Sequence, residues 1–428
     1  VNLPVLLARG IKRKVRDALS LDRMNDKYGV LALNHLFMMA CVTLEVVFVN
    51  ILIMRVSGGD IQAVLINRAL AFIFTAVGMN MVSVLSRKIN AVTAIRVSGF
   101  LYILMFLVLF IGMDQVFLLV YAVGALSGLA WGFYWFGQIA LLASYTTQQN
   151  RAVGIAIFTV IQGVMALVMP LISGGLIDFM PGMTGYRVMF GAAIVAMAAQ
   201  EFFVMRKLHP VKTEHRKSEY RRALGLLFKR TGLRVMAAME FSRGLRDGVF
   251  GFFLNLVLFE IVNSESLVGL NSFLAGLVSI LAAWLYGRII TDRNKGRLTA
   301  ISVSVLTAFF PVLFFAIGPA TVILFSIANA FFAMFINNSV MNNSFDVLVQ
   351  NEQTRSAMPE LIGIREAALV LGRISGIMIM ALFPAGLPGY VQAMLALTAT
   401  QYIVAVLLYI SRRVREREQS CELEVNDG

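Results

Sequence analysis

Along a strongly apolar chain, a few charged side chains sit where hydrocarbon would penalise them. Glu45, Arg68, Glu240, Arg243, Arg246, Asp247, Glu366 and Arg373 each fall inside a long apolar stretch. A charge retained at membrane depth normally faces a cavity or a partner, because burying it in lipid costs several kcal/mol. Glu45 shares a helical face with Asn34, Met38, Cys41 and Phe48. Desolvation disfavours an ionised carboxylate, so Glu45 is a candidate for binding and releasing a proton. Pairing with an arginine on a neighbouring helix accounts for it equally well.

The densest segment reads Glu240-Phe-Ser-Arg243-Gly-Leu-Arg246-Asp247-Gly248, with Asn255 two turns on. Glu240, Arg243 and Asp247 fall at three- and four-residue spacing, which sets up an intrahelical charge ladder. Asp247 is the second proton-coupling candidate. Arg246 points roughly 100° away and lacks a partner in its own helix, which makes it the stronger candidate for meeting substrate or Glu45. Gly244, Gly248 and Gly251 would allow this helix to bend. Glu366 and Arg373 share a face further on, and Arg373 is expected to meet a carboxylate or an anionic group on a substrate. Arg68 either joins them or snorkels to the outer surface. Asn337, Asn338, Asn342 and Asn343 could line a pore or mark the wet end of a helix. Trp131, Tyr134, Trp135 and Gln138 suggest a cavity wall offering stacking and one hydrogen-bond handle.

These residues need helices to carry them through a bilayer. Of 428 residues, 59% are hydrophobic and 14% charged, against roughly a quarter charged in a soluble domain. Near-continuous apolar runs such as Phe100 to Met113 exclude a barrel, whose strands alternate. Apolar stretches define twelve spans, at about 29–54, 61–85, 92–113, 116–144, 152–177, 187–205, 233–259, 266–290, 298–317, 319–345, 359–383 and 389–411. Each meets the roughly 20 residues that a crossing helix needs.

The net charge of +13 is explained by topology. Lysine and arginine concentrate before span 1, between spans 6 and 7, between 8 and 9, and after span 12, whereas the loops near Ser264, Gly318 and Leu387 hold none. The positive-inside rule places both termini and the central loop in the cytoplasm. The expected organisation is a basic amphipathic segment 1–28, a six-helix bundle 29–205, a basic linker 206–232, a second six-helix bundle 233–411 and a charged tail 412–428. The basic start, with Arg9, Lys12, Arg13, Lys14 and Arg16, shows no cleavage site and reads as a retained helix on the inner membrane surface. An initial Val, taken as an alternative start codon, points to a bacterial source and hence to the plasma (inner) membrane.

Six spans plus six is the layout of two repeats related by an axis along the membrane normal. Glu45-Val-Val-Phe48 echoes Asp247-Gly-Val-Phe250 about 200 residues later. The loop after span 8 reads Gly287-Arg-Ile-Ile-Thr-Asp292-Arg293-Asn-Lys295-Gly296-Arg297. It resembles the G-x-x-x-D-R-x-G-R-R loop of the major facilitator superfamily, in its second-half copy with one extra residue after the glycine. The resemblance implies an all-α integral membrane protein of twelve helices in two pseudo-symmetric bundles, working by alternating access. It also implies that Gly287, Asp292, Arg293, Gly296 and Arg297 form a conformational latch. The first-half copy, Ser83 to Arg96, lacks the aspartate and the glycines. In span 5, Gly163 and Pro170-Leu-Ile-Ser-Gly174-Gly175 resemble the motif associated with the family's exchangers, although ordinary helix packing accounts for it as well.

Cys41 and Cys421 lie too far apart in topology to frame a disulfide, and His35, His209 and His215 lack metal-ligand spacing. No nucleotide-binding loop and no H-E-x-x-H pair occurs. The expectation is therefore a monomeric, non-enzymatic secondary transporter embedded in lipid, without cofactor, metal or nucleic acid, driven by a proton or other ion gradient. Its methionine and aromatic content and the span-5 motif favour export of an amphiphilic or hydrophobic compound. Arg68, Arg246 and Arg373 instead suit an organic anion or a lipid-linked anionic molecule. A non-transporting sensor or scaffold is the third alternative.

Overall fold

The computed structural model describes residues 26–85, 89–146, 151–208 and 220–426. The basic start, residues 86–88 with Arg87 and Lys88, residues 147–150, and residues 209–219 with His209 and His215 lie outside them. Every regular element among the described residues is helical. Among the described residues ten helices are long and apolar enough to cross a membrane: α1 (Lys27–Val56), α2 (Ile61–Val82), α3 (Ala91–Ile111), α4 (Leu118–Leu142), α5 (Ile157–Phe179), α6 (Thr184–Lys207), α8 (Glu265–Ile289), α9 (Lys295–Phe315), α10 (Pro319–Val349) and α12 (Leu387–Arg417). Two more, α7 (Thr231–Val262, 32 residues) and α11 (Met358–Ala381, 24 residues), have the length but carry the candidate charges.

Local chemistry sets the helix ends. Asn90 Oδ1 accepts from Thr93 N at 2.8 Å to start α3, and Ser264 caps α8 in the same way. Each satisfies a donor that the first turn leaves orphaned. Pro319 opens α10, where its missing N–H costs nothing. Asn263, at φ 51° in the left-handed region, closes α7. The helix Gln401–Asn426 continues into the charged tail.

The helices pack as two compact units, Val1–Val49 with Phe74–His215, and Asn50–Ile73 with Arg216–Gly428. Residues 50–73, the end of α1 and the start of α2, are grouped with the second unit. Inside the first unit α1 packs on α5, α3 on α4, and α3 on α6. Inside the second, α7 packs on α11, α9 on α10, and α9 on α12. The pairing thus recurs with an offset of six helices, the structural counterpart of the internal repeat.

Three helices contain a π-helical segment: Glu45–Val49 in α1, Leu118–Val123 in α4 and Gln200–Val204 in α6. Such bulges are rare and concentrate at functional sites. Glu45 opens the first of them and is buried.

Candidate functional site

In the second unit, the sequence Gly244-x-x-x-Gly248 of α7 faces Gly372-x-x-x-Gly376 of α11. A Cβ on Gly244 would meet Leu369 O, and one on Gly248 would meet the Arg373 backbone. One on Gly372 or Gly376 would meet the α7 carbonyls of Phe241 or Leu245, all closer than 3.0 Å. Small residues at four-residue spacing let two backbones touch, the main packing device where lipid removes any hydrophobic drive. Gly244 and Gly248 therefore serve as a packing seam. Only Gly251, of the three, has open space beside it.

The seam carries the charges. Arg243 pairs with Glu240 at 2.8 Å and with Asp247 at 3.7 Å, the intrahelical ladder expected from spacing. Glu240 is fully buried and also accepts from Ser344 Oγ of α10 at 2.9 Å, with Arg365 of α11 3.6 Å away. Arg365 in turn pairs with Glu366. Arg246 is buried, donates to Asn329 of α10 and lies 4.0 Å over the Phe250 ring. Arg373 sits 5.3 Å from the Phe72 ring centroid, and its buried Nε has no hydrogen-bond partner among the described residues. Along the seam lie four guanidinium groups (Arg243, Arg246, Arg365, Arg373) and three carboxylates (Glu240, Asp247, Glu366), the ion pairs being made by Arg243 and Arg365. The cluster therefore holds an excess of one positive charge in a low-dielectric setting. Arg68, also buried, leans on Asn67. Asn255 binds Ser272 and Asn271 of α8 at 3.1 and 3.0 Å. Asn338 is half-buried on α10.

The first unit has its own polar centre. His35 Nδ1 lies 2.5 Å from the Tyr134 hydroxyl and 3.0 Å from Gln138 Nε2, with its ring 4.7 Å from Phe158. Trp135 packs edge-on against Trp131 and Tyr134. The preceding residue of α1, Asn34, accepts from Gln200 in the α6 π-segment. The carboxylate of the adjacent Glu201 occupies the space a side chain on Gly99 would fill, with Arg96 4.0 Å away. His35, Asn329, Arg365 and Glu201 are the residues that spacing missed. An apolar residue pattern around a single histidine gives no signal, whereas Arg365 and Glu201 stand out as charges near helix ends.

In the loop after α8, Asp292 pairs with Lys295 at 2.8 Å and with Arg415 of α12 at 3.1 Å. Asp346 of α10 pairs with the same two cations at 2.7 and 2.9 Å. These bonds tie α8, α9, α10 and α12 together within one unit. Burial opposes ionisation of Asp292, but the hydrogen bond from Lys295 and the Arg415 and Lys295 charges hold its carboxyl below the usual range. Arg293 and Arg297 are exposed. Gly296 approaches Ala405 O, while Gly287 has open space beside it. A Cβ on Gly163 or Gly175 in α5 would also meet nothing within 4 Å, and Pro170 lies inside that helix, beside Gly174 four residues on.

Residues 30–377 match the model of the Major Facilitator Superfamily, and the chain belongs to that family of secondary transporters. It is a multi-pass membrane protein. An uncharacterised protein of Bacillus subtilis (strain 168), YqgE, is 22% identical over 390 residues, 90% of this chain and 88% of that one. Among solved structures, a bacterial homologue of the human lysosomal transporter Spinster aligns with TM-score 0.65 and 13% identity, covering 92% of this chain and 98% of that one. A bacterial homologue of the human drug peptide transporters PepT1 and PepT2 gives 0.69 and 10%, covering 91% and 98%. The nucleoside transporter NupG gives 0.65 and 13%, covering 90% and 99%. At these identities the three share the fold.

Proposed function

We propose that this transporter moves an organic anion, free or lipid-linked, by alternating access across a bacterial inner membrane, coupled to protons and with both termini cytoplasmic. The observation that carries the reading is the cationic excess of the α7–α11 cluster, with Arg373 Nε buried beside Phe72 and without a hydrogen-bond partner among the described residues. An anionic group with an apolar body would neutralise that charge and pack on the ring. Export of an amphiphilic or hydrophobic compound, favoured by the methionine and aromatic content and by the span-5 motif, gains no support from that motif, since a Cβ on Gly163 or Gly175 would meet nothing within 4 Å. Glu45, in its π-segment, and Asp247 are the proposed proton carriers.

The test is a thermal-shift screen of purified protein against paired amphiphiles differing only in a carboxylate or phosphate, since a ligand of the folded state raises apparent stability. Stabilisation by the anionic members, lost in Arg373→Ala and partly kept in Arg373→Lys, supports the proposal. Equal shifts from the neutral isosteres refute it. Proteoliposomes showing no flux of any stabilising compound, under any gradient, would favour a sensor or scaffold.

A further inference from the structure

The basic segment between α6 and α7 contains a ten-residue helix, Tyr220–Lys229, that the transport cycle described above does not use. Its three faces differ in chemistry. Ala223, Leu226 and Leu227 pack into a core made with Leu233, Met236, Val347 and Leu361. Leu224 and Phe228 are exposed together on a second face, Phe228 by 72%. Arg222 and Lys229 lie on the third, seven residues apart and hence nearly in line along the axis. There a pocket of about 310 Å³ is lined by Arg222, Gly225, Leu226, Lys229 and Gln353. Gly225 leaves the wall between the two cations bare, since a Cβ there would meet nothing. Arg230 donates to Gln353 Oε1 at 3.1 Å and so fixes that carboxamide at the rim.

A helix buried on one face, with exposed Leu224 and Phe228 beside Arg221 on a second and Arg222 and Lys229 on a third, suits the membrane interface, its apolar residues entering the acyl boundary while the cations stay at headgroup level. We propose that this pocket is a binding site for the phosphate headgroup of an anionic phospholipid of the cytoplasmic leaflet. Arg222 and Lys229 would hold the phosphate, and Leu224 and Phe228 would lie against the acyl chains. The charge and size of the pocket would also admit a free phosphate. The adjoining exposed apolar pair favours the lipid.

The proposal is tested by native mass spectrometry and thermal unfolding of the full chain in phosphatidylcholine nanodiscs, with and without phosphatidylglycerol. Phosphatidylglycerol is expected to stay bound and raise the melting temperature. The R222A/K229A double variant should weaken retention roughly thirtyfold, at about one headgroup interaction per cation, while R222K/K229R keeps it and shows that the fold tolerates change there. Retention unaltered in R222A/K229A overturns the proposal. So does an equal stabilisation by inorganic phosphate in nanodiscs lacking phosphatidylglycerol, which would make the pocket a site for the free anion.

Discussion

Arg55, in the last turn of α1, places Nη2 2.6 Å from Oε1 of Glu265, in the first turn of α8, and its guanidinium lies over the Phe259 ring. Glu265 is almost wholly buried, whereas the Arg55 side chain is 30% exposed. The bond joins residues 210 positions apart within the second unit. A double-mutant cycle of Arg55→Ala and Glu265→Gln, followed by thermal unfolding, should give a coupling of about 1–3 kcal/mol. Strict additivity would show that the pair contributes nothing to stability.

The α7–α11 seam predicts a contrast between glycines. Gly248→Ala and Gly376→Ala each drive a methyl into a facing backbone and should cost about 1–3 kcal/mol. Gly251→Ala meets open space and should be neutral or slightly stabilising through helix propensity. Melting temperatures of the three variants in one detergent decide it, and equal effects would mean that the helices separate easily.

Asp292 gives a signed pH effect. Its folded carboxyl is held below the usual range, so the native state releases that proton more readily than the unfolded chain. The resulting stabilisation is present at neutral pH and fades as pH falls through the folded value. Asp292→Asn should therefore lower stability at neutral pH and flatten the loss on acidification. A variant curve parallel to that of the wild type from neutral to acid would contradict the assignment.

Glu45 is proposed to carry the coupling proton. Glu45→Gln should abolish uphill accumulation driven by a pH gradient while sparing substrate counterflow in proteoliposomes. Unimpaired uphill transport would move the role elsewhere.

In the first unit, Tyr134→Phe removes the hydroxyl that meets His35 and leaves the stacking of the rings in place. A loss of about 0.5–1.5 kcal/mol is expected. A larger loss in Gln138→Ala would show that the amide, 3.0 Å from the same nitrogen, is the stronger partner.

Span positions and the Glu240–Arg243–Asp247 ladder were legible from spacing alone. Hydropathy locates α2 between Ile61 and the residues near 85, as observed, and helical periodicity brings residues three and four apart onto one face wherever the helix goes. The loop after α8 was legible as a charged turn. Its partners Asp346 and Arg415 were not, since they lie 54 and 123 residues further along the chain from Asp292.

What the sequence determined by itself was the membrane class, the approximate positions of the helices and the charges they retain. Each depends on local hydrogen bonding and on the transfer energy of consecutive side chains. Tertiary structure alone decided that Gly244 and Gly248 pack against α11, that Arg246 meets Asn329, that His35 meets Tyr134 and Gln138, and that Glu45 begins a π-segment. In lipid every helix is about equally content along its length, so the choice of neighbour rests on close contact and polar pairing between distant segments. Those are properties of the packed helices, and no window of sequence contains them.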